Sequence, residues 1–346
     1  MDKMNKKTVT LKQVAEHAQV STSTVSLVLN GKGDISRATR DRVHAAVLDL
    51  NYRSRVSKSR IDSSHTLRFL KIVKHGQTVN RDHNHFISDY IDGMSLEASR
   101  RGYALEVVTC NGADITSIFN MIERSDLSGI IALGTELSEE DIIILSKFDQ
   151  HIVFIDTFYP FLESNFVNMD NDQTVFAVVS QLKKSSFKRI GFVGSYTNVT
   201  NFRLREEAFH RACNKLSIQV CKRDIFTVAA TRDEAYEQAK NHLVKENNVA
   251  EAYFCVNDIV AFGVIRALQE LGYNVPEDVS VIGFDNLPMS SLLSPTLTTV
   301  DVPKQQIGSM AIRLIDDMII AQATNPPVKV LVTGKLIIRE SSTKPV

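Results

Sequence analysis

At 346 residues the chain is longer than one compact core usually organises, and its length suits two or three domains. A hydrophobic content of 43% and a charged content of 23% exclude collagen-like and disordered classes, and no apolar run approaches the roughly 20 residues of a membrane helix. The formal net charge is zero, yet residues 1–60 carry six Lys and six Arg against four Asp and one Glu, a net +7 that the remainder cancels. A basic head on an acidic body predicts an anionic partner for the head alone, with nucleic acid the first candidate.

Residues 1–10 include Lys3, Lys6 and Lys7 but no apolar h-region or small-residue cleavage site, so a cytoplasmic location is expected. Thr10-Leu11-Lys12-Gln13 fits a capping box and predicts a helix starting at Leu11, with Leu11, Val14, Ala15 and Ala18 on its apolar stripe. A second short helix follows from Ser21, with Val25, Val28 and Leu29 inward. The tight Gln19-Val20 turn between them has the spacing of a helix-turn-helix, whose second helix enters the major groove. Gly is common in such turns, which makes Gln19 an anomaly. A third helix, capped by Ser36 and running over about 37–50, places Val43, Val47 and Leu50 on one stripe and closes a three-helix core. Residues 54–64 are polar and basic and read as a linker.

From Leu67 onward short apolar strands alternate with amphipathic helices, the pattern of parallel α/β sheets. Strands are predicted over 67–73, 103–109, 129–133 and 151–156, with helices over 86–101 and about 114–123. The pattern restarts with a helix over 174–184, a strand over 189–193, a helix over 203–215 and strands near 252–255 and 279–285, which implies two similar lobes. Ligands bind outside the carboxyl ends of such strands, where Gly134-Thr135, Asp156, Asn257-Asp258 and Asp285-Asn286 lie. Loop polarity alone also puts polar residues at strand ends.

Cys110, Cys213, Cys221 and Cys255 show no C-x-x-C spacing and read as buried free thiols. His83 and His85 form H-x-H without a nearby third ligand and read as solvated loop histidines, so no metal and no cofactor are expected. No G-x-G-x-x-G, P-loop or G-x-S-x-G stands in the right strand-to-helix context, and Gly191-Phe192-Val193-Gly194-Ser195 is only a faint nucleophile-elbow likeness, so catalysis is not expected.

Residues 9–31 contain V-A-x-x-A-x-V-S-x-x-T-V-S-x-x-L-N and resemble the head of the LacI/GalR family of bacterial repressors. The resemblance implies that Thr22, Ser23 and Leu27 occupy base-reading positions, while Ser21, Thr24, Ser26 and Asn30 hold phosphates or cap helices. Simple N-capping is the competing reading for this Ser/Thr run. Thr10, Tyr52 and Lys58 join the DNA-contacting set. The family usually has Arg at the position of Leu27, and an apolar side chain there can touch only a thymine methyl, so the operator is expected to depart from the common consensus. The linker resembles the family's hinge, which becomes helical on DNA and wedges an aliphatic side chain, here Ile61, into the minor groove. The family often has Pro and Asn where Ser54 and Arg55 stand, and Ala at Lys58.

In the body, Val256-Asn257-Asp258-x-x-Ala261-x-Gly263 and Gly283-Phe284-Asp285-Asn286 resemble the family's N-D-x-x-A-x-G and G-[FY]-D-[ND] signatures, and Arg205-Glu206-Glu207-Ala208-Phe209 resembles R-x-x-G-F with Ala208 for Gly. These matches imply an effector pocket built from Arg205, Asn257, Asp258 and Asp285, with Asp156 from the first lobe, Phe86 at the rim and Phe226 as a weaker aromatic candidate. Carboxylates accept from hydroxyls, an Arg donates in a fork and an aromatic face stacks on a sugar, so a sugar or sugar derivative is the expected ligand. A core position is the competing reading for each Phe.

Residues 294–300 and a helix over 305–321 resemble the family's return to the first lobe, and 334–339 would be a last strand in the second, giving three crossings. The expected layout is a helix-turn-helix head over 1–53, a hinge over 54–66 and an effector-binding and dimerisation domain over 67–346. In that domain lobe one spans about 67–167 and 300–325, and lobe two about 168–299 and 326–346. The implied fold is a three-helix head plus a two-lobed, periplasmic-binding-protein-like body of parallel sheets flanked by helices. The implied function is a DNA-binding transcriptional regulator of the repressor type, a homodimer on a near-palindromic operator, controlled by a small molecule. A solute-binding transport receptor for a sugar is the alternative, against which the basic head and missing signal peptide count. A protein co-repressor, as in some relatives, has no support in the residues.

Overall fold

The computed structural model describes residues 10–29, 35–50, 65–74, 84–112, 114–123, 127–147, 151–185, 187–246, 248–321 and 326–342. The chain forms two compact units, Met1–Asp62 and Ser63–Val346.

The first unit holds α1 (Leu11–Ala18), α2 (Thr22–Leu29) and α3 (Arg37–Asp49). Thr10 caps α1 through the expected reciprocal box, its Oγ1 accepting from the Gln13 amide while the Gln13 side chain accepts from the Thr10 N–H at 2.8 Å. The periodic apolar residues Val14, Ala15, Ala18, Val25, Val28, Val43 and Ala46 form the core, with Leu11, Val20, Ile35, Val47 and Leu50 packed at its edge. Gln19 ends α1 in the left-handed region (φ 55°), where the Val20 N–H reaches the Ala15 carbonyl at 3.0 Å. That geometry is the reason Gly is common at this turn, and Gln adopts it at a cost of about 1 kcal/mol.

In the second unit one six-stranded sheet is ordered β11-β5-β4-β3-β1-β2, from β1 (Thr66–Val73), β2 (Ala104–Asn111), β3 (Gly129–Leu133), β4 (Ile152–Ile155), β5 (Phe166–Met169) and β11 (Lys329–Val332). All of its pairings are parallel. β3 and β4 are buried along their full length, as expected of strands covered on both faces. The covering helices are α4 (Asn84–Arg100), α5 (Ile115–Glu123), α6 (Glu139–Leu145) and α11 (Lys304–Ala321). α4 and α11 touch backbone to backbone at Gly93, where a Cβ would stand 2.0 Å from the Gln305 carbonyl oxygen.

A second, four-stranded sheet is ordered β7-β6-β8-β9, from β6 (Ile190–Ser195), β7 (Ile225–Val228), β8 (Ala252–Cys255) and β9 (Ser280–Ile282), again parallel. Its helices are α7 (Asn171–Lys184), α8 (Thr200–Lys215), α9 (Arg232–Glu246) and α10 (Asp258–Glu270). β10 (Thr299–Asp301) and β12 (Lys335–Ile337) form a separate antiparallel ribbon.

One expected boundary is corrected. Residues 326–346 do not lie wholly in the second lobe, because β11 joins the edge of the first sheet beside β5 and only then does the chain turn into β12. The strand expected over 279–285 is also shorter, since Asp285 (φ 114°) and Asn286 (φ 48°) bend the chain out of the sheet. The chain passes between the lobes at 169–171, 301–304 and 332–335.

Candidate functional site

The cavity between the lobes is lined by Phe86 and Ile87 of α4, Thr135 beyond β3, Asp156 beyond β4, Thr197, Val199, Ala230, the α8 residues Asn201, Phe202 and Arg205, and Asp285. It encloses about 40 Å³, room for a few waters and far less than a sugar needs.

Asp156 is 6% exposed and sits in the left-handed region (φ 59°). Its carboxylate accepts from the Tyr90 hydroxyl at 3.0 Å, from Thr135 Oγ1, and from Asn201 Nδ2 at 3.0 Å across the cleft. Burial pushes this carboxyl up to about 6, against the pull of Thr135, Arg205 and Tyr90 toward ionisation. Asn201 Oδ1 in turn accepts from Asn168 Nδ2 at 2.9 Å and Asn171 Nδ2 at 3.0 Å, which flank the first passage between lobes.

Arg205 is 2% exposed. It donates to the Val256 carbonyl (2.7 Å), Asp285 Oδ1 (3.2 Å) and Asn171 Oδ1 (3.3 Å), and its Cζ lies 3.8 Å from the centre of the Phe284 ring. Lys304, at the second passage, donates to the Asp285 carbonyl at 2.9 Å with its ammonium 5.1 Å from the Phe86 ring centre. Polar groups from both lobes and from two of the passages therefore share one hydrogen-bonded web, so displacing any member is felt by the connection between lobes.

Of the residues expected in this pocket, Phe86, Asp156, Arg205 and Asp285 come together. Phe226, Asn257 and Asp258 do not, and these assignments are corrected. Phe226 on β7 stacks on His242 of α9 at 3.9 Å and meets Tyr253 edge-on, a core position within the second lobe. Asn257 is the N-cap of α10, its Oδ1 accepting from the Val260 N–H at 2.9 Å. Asp258 is 0% exposed and faces away from the cavity. Its carboxylate accepts from the Leu287 N–H at 2.8 Å, from Ser290 Oγ at 2.6 Å and from Thr299 Oγ1, fastening the turn Pro288–Ser291 and β10 to α10. Gly283 makes that possible, because a Cβ there would stand 2.3 Å from Asp258 Oδ1. Burial first, and the nearby Asp285 second, push the Asp258 carboxyl up to about 7.

Several residues of the cleft escaped the sequence reading, among them Asn201, Phe202 and, behind Asp156, Tyr90. Asn201 and Phe202 precede Arg205 by one helical turn and Tyr90 follows Phe86 by one, so extending each recognised residue by helical phase would have found them.

On the head, Ser21 Oγ accepts from the Thr24 N–H at 3.0 Å and lies 2.8 Å from Thr24 Oγ1, so the capping role of Ser21 is realised. Ser23 Oγ is 3.1 Å from Ser21 Oγ. Thr22, Ser23 and Leu27 are exposed, and Ser26 is half-buried. Asn30, Tyr52, Lys58 and Ile61 lie outside the described residues. Among the described residues no group of three metal-ligating side chains forms, and no helix is long and apolar enough to cross a membrane.

A helix-turn-helix unit together with a two-lobed α/β unit whose interlobe cavity holds a hydrogen-bonded cluster of polar side chains among apolar walls defines a DNA-binding regulator with a small-ligand domain. Residues 10–54 match the model of bacterial regulatory proteins, lacI family, and residues 179–342 match that of the periplasmic binding protein-like domain. The chain is 30% identical over 336 residues to the HTH-type transcriptional repressor CytR of Escherichia coli, covering 96% of each. It is 27% identical over 336 residues to the HTH-type transcriptional repressor PurR of Haemophilus influenzae, covering 96% of this chain and 98% of that one. A solved Lac repressor dimer bound to operator and the anti-inducer ONPF shares the fold, with a TM-score of 0.70 at 23% identity over 97% of this chain and 99% of that chain. The protein belongs to the LacI family of bacterial regulatory proteins and is a DNA-binding transcriptional regulator with a ligand-binding, periplasmic-binding-protein-like domain.

Proposed function

We propose that the protein is a cytoplasmic repressor without catalytic activity. It binds a near-palindromic operator as a homodimer, through heads over 1–53 and a hinge over 54–66, and senses a sugar or sugar derivative between its lobes. The observation that carries the reading is the cavity in which Asp156 and Asn201 meet from opposite lobes beside the Arg205–Asp285 pair. Carboxylate and amide groups match a polyhydroxylated ligand, while Phe86 and Phe202 supply apolar faces. The Asn201–Asp156 hydrogen bond ties the lobes directly, so a ligand that replaces it alters their relative stability. Its effect on operator affinity equals its differential affinity for the two lobe arrangements, and a full switch needs about 10⁴-fold. Two heads on adjacent half-sites roughly add their binding free energies, which favours a dimer.

The test is competition binding of the full chain to a selected duplex against random duplex over a salt series. Preference for the selected duplex, with affinity falling steeply as salt rises, is expected. Equal affinity for both duplexes removes the reading. A thermal-shift screen of sugars, sugar phosphates and nucleobases identifies the effector class, because a ligand at 100 times its Kd stabilises the body by about 2.7 kcal/mol.

A further inference from the structure

The outward face of α2 is unusual for a helix that reads DNA. Its sequence, Thr22-Ser23-Thr24-Val25-Ser26-Leu27-Val28-Leu29, has no Arg, Lys, Asn, Gln, Asp or Glu. Val25 and Val28 are buried in the core, and the Thr24 hydroxyl is engaged in the Ser21 cap. Among the described side chains of this helix the exposed ones are Thr22, Ser23 and Leu27, and the last two stand one helical turn apart. Leu27 is 37% exposed, the one large hydrophobic side chain so placed among the described residues of the first unit. It is absent from the three-helix core, so its side chain is available to a base edge when this helix enters the groove.

Each base presents its own group in the major groove. Guanine offers two acceptors suited to Arg or Lys, adenine an acceptor and a donor suited to Asn or Gln, cytosine a donor suited to a carboxylate, and thymine its 5-methyl group. α2 carries none of the polar side chains that single out guanine, adenine or cytosine, and its hydroxyls pair with any base. The one base-edge group that an aliphatic side chain distinguishes is the methyl. Resting on the operator-binding reading above, we propose that Leu27 makes each head a reader of the pyrimidine 5-methyl group, with a T·A pair beneath it in each half-site.

One methyl removed from water corresponds to about fourfold in affinity per half-site, or about fifteenfold for two. Because 5-methylcytosine carries the same methyl, the site also distinguishes methylated from unmethylated cytosine.

The test begins by enriching duplexes from a randomised library with the full chain, then replacing each thymine of the enriched sequence by uracil, which deletes only the methyl. One symmetry-related thymine pair is expected at which uracil weakens binding about fourfold per half-site. Cytosine there should weaken binding further, and 5-methylcytosine should recover about fourfold over cytosine. Leu27→Ala should bind the thymine and uracil duplexes alike, whereas loss of a merely structural leucine lowers both and keeps their ratio. Leu27→Arg should move the preference at that pair toward guanine. Uracil substitutions that are neutral at every position with the unaltered chain, or whose penalty is the same in Leu27→Ala, overturn the assignment while operator binding stands. Failure to enrich any sequence overturns both.

Discussion

Asp258→Asn removes a proton-binding group from the knot that joins α10, the turn Pro288–Ser291 and β10. In the unfolded chain this carboxyl titrates near 3.8, and in the fold burial and Asp285 push it up to about 7. The folded value is raised, so the protonated form is the one the fold prefers. Its stabilising contribution is complete below the unfolded value, erodes as pH rises from about 4 to about 7, and is gone above that. Three units at 1.36 kcal/mol each make about 4 kcal/mol in all, of which about 3 kcal/mol is lost between pH 5 and pH 8. Asn can turn its oxygen toward the Leu287 N–H and Ser290 and its amide toward Thr299, and it does not ionise in this range. Urea unfolding of both proteins at each pH gives a difference curve in which titrations common to both cancel. Wild-type stability relative to the variant should fall by about 3 kcal/mol from pH 5 to pH 8. A difference flat to within about 0.5 kcal/mol would refute burial-driven protonation of Asp258.

Arg205→Leu leaves the 3%-exposed Asp285 carboxylate without its guanidinium and should lower the unfolding free energy of the body by about 3–5 kcal/mol in urea melts, with loss of the effector-induced thermal shift. Asn201→Ala takes a donor from Asp156 and an acceptor from Asn168 and Asn171; a loss of about 2 kcal/mol is expected, together with an altered operator affinity in the absence of ligand. Gln19→Gly relieves the left-handed strain at the end of α1 and should raise the stability of the head by up to about 1 kcal/mol, read by circular dichroism of its thermal transition.

The head was legible because its determinants are local. The Thr10–Gln13 box, the stripe through Val14 and Ala18 and the inward Val25 and Val28 each depend on residues a turn or two apart. The cleft was only partly legible. A polar residue at a strand end marks the right edge of the sheet but not the direction of its side chain. Asp156 and Asp285, in left-handed backbone, present carboxylates to the cavity, whereas Asn257 and Asp258 open α10 and turn inward to cap and fasten it. Phe226 alternates along β7 onto α9, a choice made by His242 and Tyr253 rather than by its own neighbours. Asn201 could be reached by helical phase from Arg205, but its pairing with Asp156, 45 residues away on the opposite lobe, could not be read from the sequence. The four-residue β11 was missed for the same reason, since only pairing with β5 holds it in the first sheet.

In the proposed function, occupancy of the cleft and occupancy of the operator are linked. The most direct measurement is the affinity of the full chain for its ligand, taken from the thermal-shift screen, with and without saturating operator duplex at fixed salt, beside operator affinity with and without saturating ligand. Both affinities should change by one common factor, as thermodynamic reciprocity requires. Ligand affinity that is the same on and off the operator would contradict it.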